Sequence, residues 1–460
     1  MLGVPGPPRC RSSALRRRGR RWSLLQAGAI AALAAIACCV GAGVLLRGRP
    51  VAGFLLRPAP AANQARCRRG LLHLARAALG GERKEGLVLR VVTYNVLSPT
   101  LCQDRRFPHC KPEDLQEGVR WERVLLQLEA AIAEDHPTVI CLQEVDELWA
   151  GKLHSLFQRR GWHFAYAPAA IGYYKPFGVA MAWPNDAFEL DTMSIMKIGA
   201  EFNYPKLDLP TSPTTRERVL AALSLGLLGR WSASKEELEH ARLEKLYLPW
   251  VKAARRQNRL LCARLRFRGS NQSLAVATYH TPCLFQDPEE RQSKAIHMAI
   301  MRERTAHFAR GLEYVLAGDL NSKPQDSELA LVLGDGEVAD DDVARPPSIN
   351  GLSIDTWRAA KESGSRRLRS AYADRLGREP EFTNYAWIED QPEPFKGTLD
   401  YVLVSPGLEV LAVRELPAFE LGAPVFPNAA QPSDHLLLSA DLRLTLPPSD
   451  DAGGKQADAA

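Results

Sequence analysis

The chain has 460 residues, 46% hydrophobic and 24% charged, which is enough apolar material for a sizeable core and excludes a disordered chain by composition. The formal net charge of +6 hides an asymmetry, because residues 1–81 hold 14 Arg and no Lys, Asp or Glu, so that 6 − 14 leaves −8 for residues 82–460. A mildly acidic body excludes capture of an anionic substrate by a general basic field; local Arg or Lys, or a bound cation, must do that work.

Residues 1–22 are Arg-rich, and residues 23–46 form an uncharged run, SLLQAGAIAALAAIACCVGAGVLL. At ~1.5 Å per residue such a run is long enough for a ~30 Å hydrocarbon layer. Its Ala and Gly content and the Arg residues that follow also fit a mitochondrial or plastid presequence. The segment is therefore expected to be a single-pass membrane anchor or a targeting peptide, with residues 47–86 as a linker. The nine Cys show neither Cys-x-x-Cys nor zinc spacing, so no disulfide framework or structural zinc is expected.

From residue 87 short apolar runs alternate with amphipathic stretches. Strands are predicted at 87–96, 138–145, 177–183, 273–280, 314–318, 398–405 and 435–442, and helices at 117–134, 146–160 and 289–308. Interleaving of this kind predicts a layered α/β core over residues 87–445. Residues 214–256, rich in Arg, Lys, Glu and Leu, read as an inserted helical hairpin. Residues 337–365 read as a mobile loop, and residues 446–460 as a disordered tail.

Strand after strand ends in a polar residue suited to metal or phosphate: Asn95, Glu144, His280, Asp319 with Asn321, Asp400, and Asp434 with His435. Each also reads as a turn former or cap. Ligands gather at strand ends in layered α/β folds, however, so these residues are expected to converge. In YVLAGDLNS, Asp319 and Asn321 are two apart and would share one side of an extended chain.

The motifs TYNVLS, LQEVD, GDLNS, GTLDYVLVS and PSDHLLL, in this order, resemble the endonuclease/exonuclease/phosphatase superfamily. SAYADRLGREPEFTNY followed by FKGTLDYVLVS looks like the branch of poly(A) deadenylases, nocturnin and the Angel proteins. The resemblance implies a four-layer α/β sandwich of two packed mixed sheets flanked by helices. It also implies a Mg²⁺-dependent phosphodiesterase with one or two ions, for which Mn²⁺ substitutes.

On that reading Glu144, with Asn95 beside it, is the metal carboxylate, and Asp434 is a further metal contact. Asp319 deprotonates the attacking water, Asn321 holds a phosphate oxygen, and His280 and His435 donate to the developing charge. Asp400 orients His435. Phe395 would stack on a nucleobase, and Lys396 would meet a phosphate or solvent.

Two departures from the family pattern stand out: YHTPC around His280 replaces His-Leu-aromatic, and residues 1–86 do not read as leucine-rich repeats, so no partner module of that kind is expected. Single-stranded RNA is the expected substrate, attacked as a 3′ exoribonuclease attacks it, and residues 23–46 are the expected membrane contact. A phospholipid head group and a catalytically inactive binding module are the alternatives. His109, His136, His154, His163, His240, His297 and His307 read as ordinary helix or loop residues, and residues 255–261 as a charged edge before a strand.

Overall fold

In the computed structural model the described residues run from 86 to 445, without 172–173, 201–234, 335–338, 340–341, 350–352 and 358–366. The expected anchor, its Arg-rich flank, the linker up to residue 85, the tail and the first part of the insertion lie outside them. Among the described residues no helix is long and apolar enough to cross a membrane.

Fourteen strands are described: β1 (Leu87–Asn95), β2 (Thr138–Asp146), β3 (Trp162–Ile171), β4 (Tyr174–Pro184), β5 (Phe188–Lys197), β6 (Arg259–Phe267), β7 (Ser273–His280), β8 (Tyr314–Asp319), β9 (Arg369–Ser370), β10 (Asn384–Ala386), β11 (Phe395–Gly397), β12 (Asp400–Val404), β13 (Leu408–Val413) and β14 (Leu438–Leu444). One six-stranded sheet runs β13-β14-β1-β2-β4-β3 and the other β5-β6-β7-β8-β12-β9, with β10 and β11 as a separate pair. Both sheets are mixed, since β1–β2 and β7–β8 are parallel while their other neighbours are antiparallel.

The four layers follow from side-chain alternation along each strand. Leu89 and Val91 of β1 join Val276 of β7, Val315 and Ala317 of β8, and Val402 of β12 in the core between the sheets. Val92 and Tyr94 of β1 point the other way, onto Val124, Leu128, Trp149 and Phe157 of two outer helices. Ala277, Tyr279, Leu316 and Leu403 pack likewise onto the helices behind the second sheet.

Among the helices, α1 (Pro112–Leu115) leads into α2 (Glu117–Ala131), which buries Arg120, Val124, Leu128 and Ala131 along one stripe. The next, α3 (Glu147–Arg159), starts where Asp146 accepts the Trp149 N–H at 2.8 Å, an N-cap that fixes the exit from β2. Behind the second sheet, α4 (Lys235–Arg255) covers α5 (Pro288–Ala309), which is buried on every side from Ser293 to Arg302.

That burial differs from the amphipathic pattern expected of α5. Its outer face meets the insertion itself: Ser293 Oγ donates to Pro249 O at 2.9 Å, and His297 Nε2 lies 2.9 Å from Ala253 O. Burial drives the His297 pKa down to about 4, so this ring is a neutral core group. The described part of the insertion is thus core structure. The same holds in the expected mobile loop, where Ala344, Ile349 and Ile354 are buried against the second sheet. The short helices α6 (Ser327–Leu333) and α7 (Ala371–Leu376) complete the outer layers.

Candidate active site

Strand register assembles the site. In the second sheet the parallel pair β7–β8 sets His280 beside Asp319, and the antiparallel pair β8–β12 sets Asp319 beside Asp400, so three polar side chains occupy one row across three strands. The row needs close strands: a Cβ on Gly318 would lie 2.0 Å from Tyr279 O, so only glycine fits next to Asp319. In the first sheet β1–β2 pairing puts Asn95 beside Gln143. Glu144 follows in a bulge of β2, with φ +58, which turns its carboxylate into the gap.

One carboxylate oxygen is the meeting point. Asp319 Oδ2 accepts from Asn95 Nδ2 at 3.0 Å and lies 3.4 Å from His280 Nε2 and 3.6 Å from His435 Nε2. Its Oδ1 accepts the Asn321 N–H at 2.9 Å. Glu144 Oε1 accepts from Asn95 Nδ2 at 3.2 Å and lies 3.9 Å from His280 Nε2, while Oε2 accepts the Ser98 N–H at 3.2 Å. His435 Nδ1 is 2.8 Å from Asp400 Oδ2, which also accepts from Thr383 Oγ1 at 2.6 Å.

Two expectations about orientation change. Asn321 does not continue an extended chain: its φ is +47, and its Nδ2 donates to Thr281 O at 2.9 Å, tying the loop after β8 to the loop after β7. Asn95 turns its Oδ1 to the Leu97 N–H at 3.0 Å, so its amide nitrogen, not its oxygen, faces the two carboxylates. As oriented it aligns them rather than offering a metal an oxygen.

Electrostatics separates the roles. Burial works against charge on His435, yet the carboxylates of Asp400, Asp319 and Asp434 outweigh it and hold the ring's pKa well above the usual histidine range. Burial pushes the Asp319 carboxyl up; His435 opposes this, Asp400 adds to it, and His280 and the Asn321 N–H oppose it. Asp434 is raised chiefly by burial, with His435 opposing and Glu144 adding. A protonated imidazole facing a carboxylate of raised pKa is an acid beside a base.

A pH test follows. Because folding raises the His435 pKa, the stabilisation from its proton is complete below the unfolded value near ~6.5 and is lost as pH rises through the folded value. Asp400→Asn is therefore expected to shift the basic limb of the pH–rate profile to lower pH. The gap in melting temperature between wild type and variant should be widest below pH ~6.5, narrow as pH rises from there, and vanish only above the folded value. An unmoved basic limb would detach His435 from catalysis.

The donor set suits a hard cation. Asp319, Asp400 and His435 offer three ligand atoms within 4.8 Å of one another. His435 Nδ1 is committed to Asp400, however, and the surrounding carboxylates favour a proton on the ring, which suits that trio to proton transfer. Glu144 and Asp434 remain as oxygen donors, matching the preference of Mg²⁺ for one or two carboxylates plus water.

The sequence pattern of the Endonuclease/Exonuclease/phosphatase family matches residues 92–435. The chain belongs to this family. Nocturnin of Drosophila melanogaster is 24% identical over 374 residues, covering 80% of this chain and 48% of that protein. Carbon catabolite repressor protein 4 homolog 4 of Arabidopsis thaliana is 25% identical over 374 residues, 78% of each. The 2′,5′-phosphodiesterase 12 of Homo sapiens is 24% identical over 379 residues, 78% of this chain and 52% of that one. The chain thus spans about half the length of Nocturnin and of 2′,5′-phosphodiesterase 12. The structure of ANGEL2, a 2′,3′-cyclic phosphatase in complex with adenosine-2′,3′-vanadate, superposes with a TM-score of 0.54 at 21% identity over 78% of this chain and 97% of that one, which shows a shared fold.

Of the residues expected to meet substrate in this family member, Phe395 is half-buried on β11 and Lys396 faces the other way. Lys396 pairs with Glu381 and sits 3.7 Å from the Phe419 ring centroid, so it is a neutralised surface group rather than a phosphate contact. The cation beside Phe395 is instead Lys323, 5.2 Å from the ring centroid.

Sequence reasoning also missed two supports. Thr383 holds Asp400 and accepts the Leu399 N–H at 2.9 Å. Arg120, fully buried, donates to Val96 O, Leu97 O and Pro432 O at 2.5–2.6 Å, clamping the loop after β1 to the segment carrying Asp434 and His435. An arginine on the apolar stripe of a predicted helix was the only signal available for it.

Proposed function

We propose that the chain is a divalent-cation-dependent phosphodiesterase acting on single-stranded RNA, with attack near a 3′ end. The observation that carries this reading is the row His280, Asp319, Asp400 facing Glu144 across the two sheets, with His435 on Asp400. Asp319 takes a proton from water as the water oxygen forms a bond to phosphorus. The P–O bond to the leaving group breaks, and its oxygen takes a proton from an imidazolium, for which His435 is the candidate. When bound, Mg²⁺ on Glu144 and Asp434 would polarise a phosphoryl oxygen and offset its charge.

The names of the relatives, 2′,5′-phosphodiesterase and 2′,3′-cyclic phosphatase, support ribose-linked phosphates as the substrate class. The deciding assay sets purified protein, with Mg²⁺ or with chelator, against poly(A), mixed RNA, 2′,5′-linked oligoadenylate, RNA with a 2′,3′-cyclic end, single-stranded DNA and sphingomyelin. Metal-dependent hydrolysis confined to the lipid would overturn the reading.

Phe395 gives a second test. Base–aromatic stacking contributes ~1–3 kcal/mol per base. Phe395→Ala should therefore lower kcat/KM on an oligonucleotide by about tenfold to a hundredfold at ~1.4 kcal/mol per decade, and leave bis(p-nitrophenyl) phosphate hydrolysis nearly unchanged. Equal losses on both, with an unaltered circular dichroism spectrum, would make Phe395 a packing residue.

A further inference from the structure

Past Asn321 the chain turns, and the Lys323 N–H donates to Asp326 Oδ2 at 2.8 Å, which fixes the backbone from which the Lys323 side chain leaves. The Leu320 N–H donates to Leu399 O at 2.8 Å, drawing residues 319–323 alongside the strand segment that carries Phe395. The Lys323 ammonium thereby rests over the Phe395 ring. A Cβ on Gly397 would lie 3.0 Å from Phe395 Cζ and 3.7 Å from Lys323 Cε, so the glycine leaves the room in which ring and lysine meet.

Among the described residues Lys323 Nζ has no carboxylate within ion-pair distance, whereas Lys396, next to Phe395 on β11, has Glu381. A cation–π contact at a half-exposed site holds a lysine only weakly. An ammonium with no ion pair, on the loop four residues past Asp319 and over a ring five residues before Asp400, in a body of net negative charge, is a place for a second anion.

We infer that Lys323, with Phe395 as its floor, forms a phosphate subsite next to the scissile bond, so that the preferred substrate carries a second phosphate adjoining the one hydrolysed. This rests on the phosphodiesterase reading above. A lysine acts as a point charge without the planar demand of a guanidinium, so the subsite accepts either a terminal phosphomonoester or an internal phosphodiester.

The test compares wild type, Lys323→Met and Lys323→Arg with Mg²⁺ on ApA, which has one phosphate, and on pApA, ApAp and ApApA, which add a 5′ monoester, a 3′ monoester and a second diester. Calorimetric binding of adenosine 3′,5′-bisphosphate and of adenosine 5′-monophosphate is measured in parallel. Loss of one charge-assisted contact should lower kcat/KM for Lys323→Met by about tenfold or more on at least one substrate with the added phosphate, chiefly through KM. ApA should change by less than about twofold and Lys323→Arg should keep most of the preference.

The substrate affected tells monoester from diester. Equal changes on ApA and on all the others, or no change on any, would overturn the subsite. If wild type cleaves none of these short substrates, the phosphodiesterase reading is judged by the longer substrates named above, and the binding data still decide the subsite: weaker bisphosphate binding by Lys323→Met with unaltered monophosphate binding upholds it, and any other binding result removes it.

Discussion

Asp319→Asn is expected to lower turnover by about 10²–10⁴-fold, because an amide fills the same space and cannot take a proton. Substrate binding should change far less. The substitution also has a structural cost that the geometry sets in advance. Both Asp319 oxygens accept, one from the Asn321 N–H at 2.9 Å and one from Asn95 Nδ2 at 3.0 Å, and an amide presents only one acceptor. One buried donor loses its partner, at about 1–3 kcal/mol. Single-turnover rates, binding of a non-hydrolysable oligonucleotide and thermal melts separate the two effects. A fall in turnover of less than about tenfold, with the melt lowered as expected, would make Asp319 structural and place the base elsewhere.

On the proposed cation-dependent reading, Mg²⁺ is expected to raise the melting temperature of the wild-type protein, and Glu144→Ala is expected to abolish both that rise and hydrolysis. The fold should survive. The Glu144 side chain is 12% exposed, and its loss leaves Asn95 Nδ2 with Asp319 as an acceptor while the Ser98 N–H loses its carboxylate partner. Its left-handed backbone, φ +58, costs a non-glycine residue on the order of 1 kcal/mol, so part of the stability lost with those hydrogen bonds returns in Glu144→Gly. Activity and Mg²⁺ response both unchanged in the alanine variant would remove Glu144 from the site.

The elements that depend on local rules were legible in the chain. The helices α3 and α5 were expected at 146–160 and 289–308 from the spacing of their apolar residues, and β1, β2, β7 and β8 are apolar runs closed by polar residues. Apart from the short β9, β10 and β11, and β6, which was expected only as an unbounded strand after residues 255–261, the strands not predicted were β3, β5 and β13. All three lie on or beside sheet edges: β3 contains Pro168, and β5 alternates half-buried with exposed residues from Glu189 to Ile195, so neither has the run that marks a central strand. The loop 337–365 has a polar sequence, and among its described residues the buried apolar side chains, including Ala344, Ile349 and Ile354, are too far apart to form a pattern.

By itself the sequence determined the layered α/β class and the residue types waiting at the strand ends, because side-chain periodicity and capping act over a few neighbours. Only the tertiary structure decided how those ends meet. Register between β7, β8 and β12 placed His280, Asp319 and Asp400 in one row, and a slip of one residue would have turned any of them to the opposite face. The bulge in β2 and the left-handed turn at Asn321 then set which atom of each group faces inward. The same distinction separates the two lysines: Lys396, next to Phe395 in sequence, points to Glu381, while Lys323, more than seventy residues away, lies over the ring. Neighbours along a strand face opposite sides, and contact between strands is set by pairing, which no local pattern records.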